Sequence, residues 1–262
     1  MKTRINRIWL TSLLLFFTLT AWAQQAKAGG GRYDQQIQND ATKLLSSKDK
    51  WKGITASTDD SIVTLTGSVK LYMDKLDAGK KIDKLSHVAG VRNHVEVEGN
   101  VPDAKLQDQL AEKLRYDRIG YGIVFNNLEL KVQNGVVTVG GDVHDYPSRD
   151  SALAIVETAP GVKDVVDNIN VLPTSIMDDE LRIRVARAVY GQAALNKYLL
   201  DPQKPIRIIV DNGKVTLAGV VDSEMDKNIA DIQAKSVPGV FSVEDELMVA
   251  NPKKTSASKA ND

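Results

Sequence analysis

Between residues 54 and 250 the chain alternates apolar and polar positions in short bursts, three times over, and each burst is broken by a turn pair. Leu128, Leu130 and Val132 fall on one side of a strand, and Val137, Val139, Gly141 and Val143 continue that side after Asn134-Gly135. Glu129, Lys131, Gln133 and Thr138 fall on the other. A period of two around a two-residue Asn-Gly turn predicts a hairpin with Val132 opposite Val137. Ile206, Ile208, Val210, Val215, Leu217, Gly219 and Val221 repeat the pattern around Asn212-Gly213, with Val210 opposite Val215. In the first copy Ile54 and Ala56 meet Val63, Leu65, Gly67 and Val69, around a poorer turn, Asp60-Ser61.

The spacing makes these copies an internal repeat. Turn positions 60, 134 and 212, glycines 67, 141 and 219, and strand ends 97, 171 and 249 all step by 74 and then 78 residues. Each hairpin follows a stretch of helical period: Ile37, Ala41, Leu44 and Leu45; Leu106, Leu110 and Leu114; Leu181, Val185, Ala188 and Val189. Pro102-Asp103 and Ser175 precede the second and third as caps. A second helix follows each hairpin, carrying Ile82, Leu85 and Val88, then Ala152, Val156 and Ala159, then Ala230, Ala234 and Val237. Gly90, Gly161 and Gly239, each followed by Val, are expected to end it. A last alternating strand closes the unit. Gly67, Gly141 and Gly219 fall on the apolar face, which predicts a helix backbone packed closely over them, with a strand bulge as the rival explanation.

The class is therefore α+β: three tandem αββαβ repeats, each a three-stranded mixed sheet with two helices on one face. The expected boundaries are 33–99 for a divergent first repeat, 102–172 for the second and 175–251 for the third. With this element order, Val-Thr-Leu-x-Gly in the hairpin and the later Gly-Val-x-x-Val make the chain resemble the BON domain, the bacterial osmotic-stress and nodulation module. The resemblance covers nearly all of residues 33–251. It implies a non-enzymatic envelope module that contacts phospholipid membranes or other proteins. The motif residues are structural, so the resemblance assigns no binding residue.

Composition changes the picture at the ends of the chain. Lys2, Arg4 and Arg7, the apolar run from Leu10 to Leu19 and Ala21-Trp22-Ala23 have the form of a secretory signal cleaved after Ala23. The alternative is an uncleaved anchor. Export to a periplasm is the expectation, and the lack of cysteine leaves no disulfide and no lipid-modified thiol. Three of the 34 basic residues lie in that leader, leaving 31 against 34 acidic ones. That balance argues against a nucleic-acid partner. Residues 24–32 read as a flexible leader and 252–262 as a disordered tail. Each repeat is short for an independent core, which leaves room for neighbouring copies to pack together.

Catalytic and metal patterns are weak. Asp142-Val-His144-Asp145 brings two carboxylates near an imidazole, but it matches no metal-ligand spacing and has no counterpart in the other repeats. Asp178-Asp179-Glu180 falls in a first helical turn, where acids suit the helix dipole. No nucleophile elbow or phosphate loop is present. No cofactor, metal, catalytic residue or small-molecule substrate is expected, and the oligomeric state stays open.

One segment does recur with interface chemistry: the link between first helix and first strand. It carries Lys48, Lys50, Trp51 and Lys52 in repeat 1, and Arg115, Tyr116, Arg118 and Tyr121 in repeat 2. In repeat 3 it carries Tyr190, Lys197, Tyr198, Leu199, Leu200 and Lys204. Rings beside cations suit headgroup depth in a membrane; the plainer reading is that the rings close a small core. Arg115, Arg118, Tyr121, Lys197, Tyr198, Leu199, Leu200 and Lys204 are the expected contacts to anionic phospholipid. A soluble adaptor or chaperone-like protein, holding envelope proteins at its sheet edges, is the second class of function.

Overall fold

A computed structural model describes residues 31–117, 122–201 and 204–250. The expected leader, signal and tail lie outside these residues. The order αββαβ appears three times. Repeat 1 runs α1 (Asp34–Ser46), β1 (Ile54–Asp59), β2 (Ile62–Val69), α2 (Tyr72–Asp83) and β3 (Gly90–Val97). Repeat 2 runs α3 (Asp103–Arg115), the short α4 (Gly122–Phe125), β4 (Asn127–Gln133), β5 (Val136–Val143), α5 (Tyr146–Glu157) and β6 (Asp164–Val171). Repeat 3 has α6 (Ile176–Tyr190), the short α7 (Asn196–Leu200), β7 (Arg207–Asp211), β8 (Lys214–Val221), α8 (Glu224–Lys235) and β9 (Ser242–Val249).

In each sheet the second strand is central, antiparallel to the first and, in repeats 2 and 3, parallel to the third. The predicted registers hold: Val132 pairs with Val137 and Val210 with Val215. Burial follows the alternation. Val137, Val139 and Val143 are buried while Glu129, Lys131 and Gln133 are exposed. Most of repeat 1, through Val69 and over Asp74–Glu96, forms one compact unit, and repeats 2 and 3 fall together in another, which also takes Lys70–Met73. Within that second unit Val124 of α4 joins the buried core of repeat 3, beside Leu181, Val185 and Ile206.

Every hairpin turns through two residues of positive φ: Asp60-Ser61 at 48° and 63°, Asn134-Gly135 at 54° and 78°, Asn212-Gly213 at 52° and 77°. Asp60-Ser61 thus adopts the same turn without a glycine. A carboxylate holds it in place, and the same device serves all three repeats. Asp34, the first residue of α1, accepts the N–H groups of Asp60 and Ser61 at 3.0 and 2.8 Å. Asp103 accepts those of Asn134 and Gly135 at 2.6 and 2.9 Å. Asp178 accepts those of Asn212 and Gly213 at 3.0 and 2.9 Å. Two N–H donors aimed at one carboxylate form charge-assisted bonds that tie the start of the first helix to the hairpin tip. The sequence places Asp178 in a first helical turn and Asp103 beside a cap, but it cannot show where their oxygens point.

Three expectations are corrected. The repeated glycine is not packed beneath a helix. Gly67, Gly141 and Gly219 sit at φ of 114°, 93° and 135°, and the nearest atom to an added Cβ is the carbonyl oxygen of Gly53, Asn127 or Pro205, on the chain entering the neighbouring strand. Gly67 is exposed and the other two are half-buried. The ladder runs one-to-one through Gly67 and Gly141, so no bulged residue is inserted there.

The second helix does not end at a glycine either. It stops at Asp83, Glu157 or Lys235, well before Gly90, Gly161 or Gly239. Gly161 and Gly239 take φ of 94° and 98° in the turn that follows. Their counterpart in repeat 1 is His87, at φ 69°, not Gly90. Backbone bonds fix this alignment: Ala89 N–H donates to Ser61 O, Lys163 to Gly135 O and Phe241 to Gly213 O. Leu85 and Val88 consequently lie beyond α2, and Tyr72, Ala78 and Ile82 are its buried residues.

Candidate functional site

Among the described residues each helix-to-strand segment contains a short helical stretch: a 3-10 turn over Asp49–Trp51 in repeat 1, α4 in repeat 2 and α7 in repeat 3. In repeat 3, Asn196–Leu200 forms α7. Tyr198 is 2% exposed, and its hydroxyl donates to Asp226 Oδ2 at 2.6 Å while accepting the Asp222 N–H at 2.7 Å. This corrects the expectation that Tyr198 inserts into a membrane. Its ring closes the repeat-3 core, because its polar tip finds both a carboxylate and an N–H at the start of α8. Burial, reinforced by Asp226, raises its phenol pKa.

Lys197 Nζ lies 2.9 Å from Asp222 and 3.0 Å from Asp226, and 4.9 Å from the centre of the Tyr198 ring. The hydrogen bond to Asp222, followed by that to Asp226, raises the Lys197 pKa. Asp222 is correspondingly lowered by Lys197. Burial works to raise Asp226, but its bonds from Tyr198 and Lys197 outweigh it and leave the pKa below the ordinary range. Lys204 is a looser partner of Asp222, at 3.8 Å. Two of the expected lipid-facing cations therefore already face carboxylates.

Repeat 1 builds the same arrangement. Trp51 is buried and its indole N–H donates to Asp74 O at 3.0 Å. Lys50 bridges Asp74 at 3.0 Å and Asp77 at 2.8 Å. The hydrogen bond to Asp77 raises its pKa; burial opposes that shift and Asp74 adds to it. Position 74 corresponds to 226 in the repeat register: in both copies a lysine pairs with the carboxylate there, while the ring donates to its backbone carbonyl in repeat 1 and to its carboxylate in repeat 3. In repeats 1 and 3 the neighbouring ring and cation therefore mark a core plug with its ion pair, whereas Tyr116, beside Arg115 in repeat 2, is 49% exposed.

The remaining expected residues separate. Leu199 and Leu200 are 50% and 76% exposed at the end of α7, projecting beside the buried Tyr198. Arg115 is exposed at the end of α3. Arg118 and Tyr121 lie outside the described residues. Among the described residues no helix is long and apolar enough to cross a membrane.

The other candidate chemistry disperses. Asp142 accepts from Asn170 at 2.7 Å. His144 meets the Asn126 side-chain oxygen at 2.9 Å through Nδ1 and Asp145 at 3.1 Å through Nε2, while Asp145 also caps α5 through the Ser148 N–H. Burial lowers the His144 pKa despite Asp145. The group acts as a strand-to-helix corner. Asp34, Asp59 and Asp60 bring carboxylates together, but Asp34 is already committed to the turn N–H groups.

Three αββαβ repeats sharing a turn clamp and a constant register define a BON-type fold. The BON domain matches residues 33–99, 102–173 and 186–251, most of the chain, and the protein belongs to the BON domain family. It is 26% identical over 124 residues to osmotically-inducible protein Y of Escherichia coli (strain K12), a match spanning 46% of this chain and 61% of that protein. CdsD, a structural protein of the type III secretion system of Chlamydia trachomatis, is similar at 13% identity and a TM-score of 0.24, over 82% of this chain and 94% of that one. A TM-score this low transfers neither fold nor function.

Proposed function

We propose that the protein is a non-enzymatic envelope module, exported through its leader and cleaved after Ala23, that associates with anionic phospholipid surfaces through the tip of repeat 3. The observation that carries this reading is the exposed Leu199-Leu200 pair. Exposed apolar neighbours at the end of a helix are suited to shallow insertion, and the buried, doubly bonded Tyr198 holds that helix rigid beneath them. Lys197 and Lys204 stand beside the pair but share their charge with Asp222 and Asp226. Contact is therefore led by apolar insertion, and salt weakens it less than it would a purely basic surface.

Replacing both residues, Leu199→Ser with Leu200→Ser, should lower co-sedimentation with anionic vesicles by about thirtyfold, the equivalent of roughly 2 kcal/mol for two partly inserted side chains. The melting temperature should not change, because neither side chain is in the core. Unchanged vesicle binding would remove the lipid reading. A protein-binding adaptor would then lead, and one feature favours it: Ile176, Met177, Met225, Ile232, Phe241 and Met248 of repeat 3 are 61–82% exposed. Methionine-rich exposed surface suits adaptable protein contacts.

A further inference from the structure

The groove between the first helix and the first strand of repeat 2 differs in charge from its counterpart in repeat 1. In repeats 1 and 3 the second helix places Asp74 or Asp226 at the inner end of this region, paired with Lys50 or Lys197. Repeat 2 has Ser148 at that position in the register. Ser148 is 3% exposed and its hydroxyl has no hydrogen-bond partner. A buried hydroxyl left without a partner is costly, and such a group at a cavity wall points to something absent.

The cavity is present. It has a volume of about 280 Å³, and Ser148 shares its lining with Leu114, Leu128 and Leu130. Those leucines are half-buried, whereas their counterparts in repeat 3, Val189, Ile206 and Ile208, are fully buried. Arg115 and Arg207 also line it. Among the described residues neither guanidinium has a carboxylate partner. Burial lowers the Arg207 pKa; Tyr190 opposes this and the charge of Arg115 adds to it. Asp117 stands in the lining as well, leaving one net positive charge among the described lining residues. The corresponding cavity of repeat 1, about 270 Å³, is lined by Trp51, threonines and Lys52, with no unpartnered buried polar atom opening on it.

We infer that the repeat-2 groove is a binding site for a small organic carboxylate with a short apolar chain. The guanidinium fork of Arg207, with Arg115 beside it, matches a carboxylate in shape and charge. The three leucines take the chain, and Ser148 supplies the buried polar contact. The volume lies just under the range of drug-sized ligands, which suits a medium-chain acid and excludes a whole phospholipid. Among the described lining residues the Ser148 hydroxyl has no hydrogen-bonded base to activate it, so the groove binds the acid without converting it.

Octanoate is the probe. Titrated into the intact protein, it should bind one-to-one by calorimetry and shift the amide resonances of Ala111, Leu128 and Ser148. Octan-1-ol, which keeps the chain, and acetate, which keeps the charge, should each bind at least tenfold more weakly. Arg207→Met should weaken octanoate at least tenfold, and Arg115→Met, at an exposed site, gives the same direction without touching the core. Ala111→Phe should fill the groove and abolish binding while the protein stays folded by circular dichroism. Equal affinity for octanoate and octan-1-ol would overturn the carboxylate assignment. Amide shifts away from the groove, or none at all, would overturn the site.

Discussion

Gly219→Ala should unfold repeat 3 or cost it about 3 kcal/mol or more, out of proportion to one added methyl group. Gly219 stands at φ 135°, a region that side-chain-bearing residues scarcely enter, and strain there costs roughly 1–3 kcal/mol by itself. An added Cβ would also meet Pro205 O at 2.6 Å. That oxygen belongs to backbone, so it cannot swing away as a side-chain end would. The sum is a large share of the stability of a small repeat. Gly213→Ala supplies the comparison. Gly213 is left-handed at φ 77°, and the nearest oxygen, Gly239 O, lies at 3.4 Å, so its replacement should cost about 1 kcal/mol. Denaturant midpoints measured on both variants decide the matter. Equal shifts would contradict the clash at the strand entry.

Asp178→Ala should be the next most damaging change, at about 2–3 kcal/mol. Asp178 is 5% exposed and accepts two turn N–H groups, so its removal strands both donors at the tip of the hairpin. Asp178→Asn keeps one acceptor oxygen and loses the charge, and it should fall between wild type and alanine. Amide hydrogen exchange at Asn212 and Gly213 should quicken in step with the loss of stability. A wild-type midpoint for Asp178→Ala would remove the clamp from the account.

Much of the architecture is legible in the sequence because burial on one face of a hairpin imposes a period of two. Val132 opposite Val137 and Val210 opposite Val215 follow from that period and the turn pair alone. Hydropathy does not encode backbone dihedrals, so Gly141 and Gly219 read as small buried residues when positive φ and a neighbouring carbonyl require them. A similarly placed glycine, Gly90, drew the alignment of repeat 1 off register; His87 occupies the position because a backbone bond to the turn, not residue type, defines it. The candidate site was less legible still. Tyr198 and Leu200 stand in one short run after Lys197, and only the tertiary placement of Asp226 separates the buried one from the exposed one. Of the carboxylate clamps, Asp178 was visible only as an acid in a first turn, Asp103 only as part of a cap and Asp34 not at all, their targets being some thirty residues away.

Repeat 3 is proposed to meet a membrane through the end of α7. The chain has no cysteine, so Leu200→Cys offers a single attachment point for an environment-sensitive dye, and Thr66→Cys offers a control at an exposed position in repeat 1. On addition of anionic phosphatidylglycerol vesicles, the emission of the dye at position 200 should shift to the blue and resist aqueous quencher, while the dye at position 66 stays unchanged. No shift at position 200, or the same shift at both positions, would contradict the account.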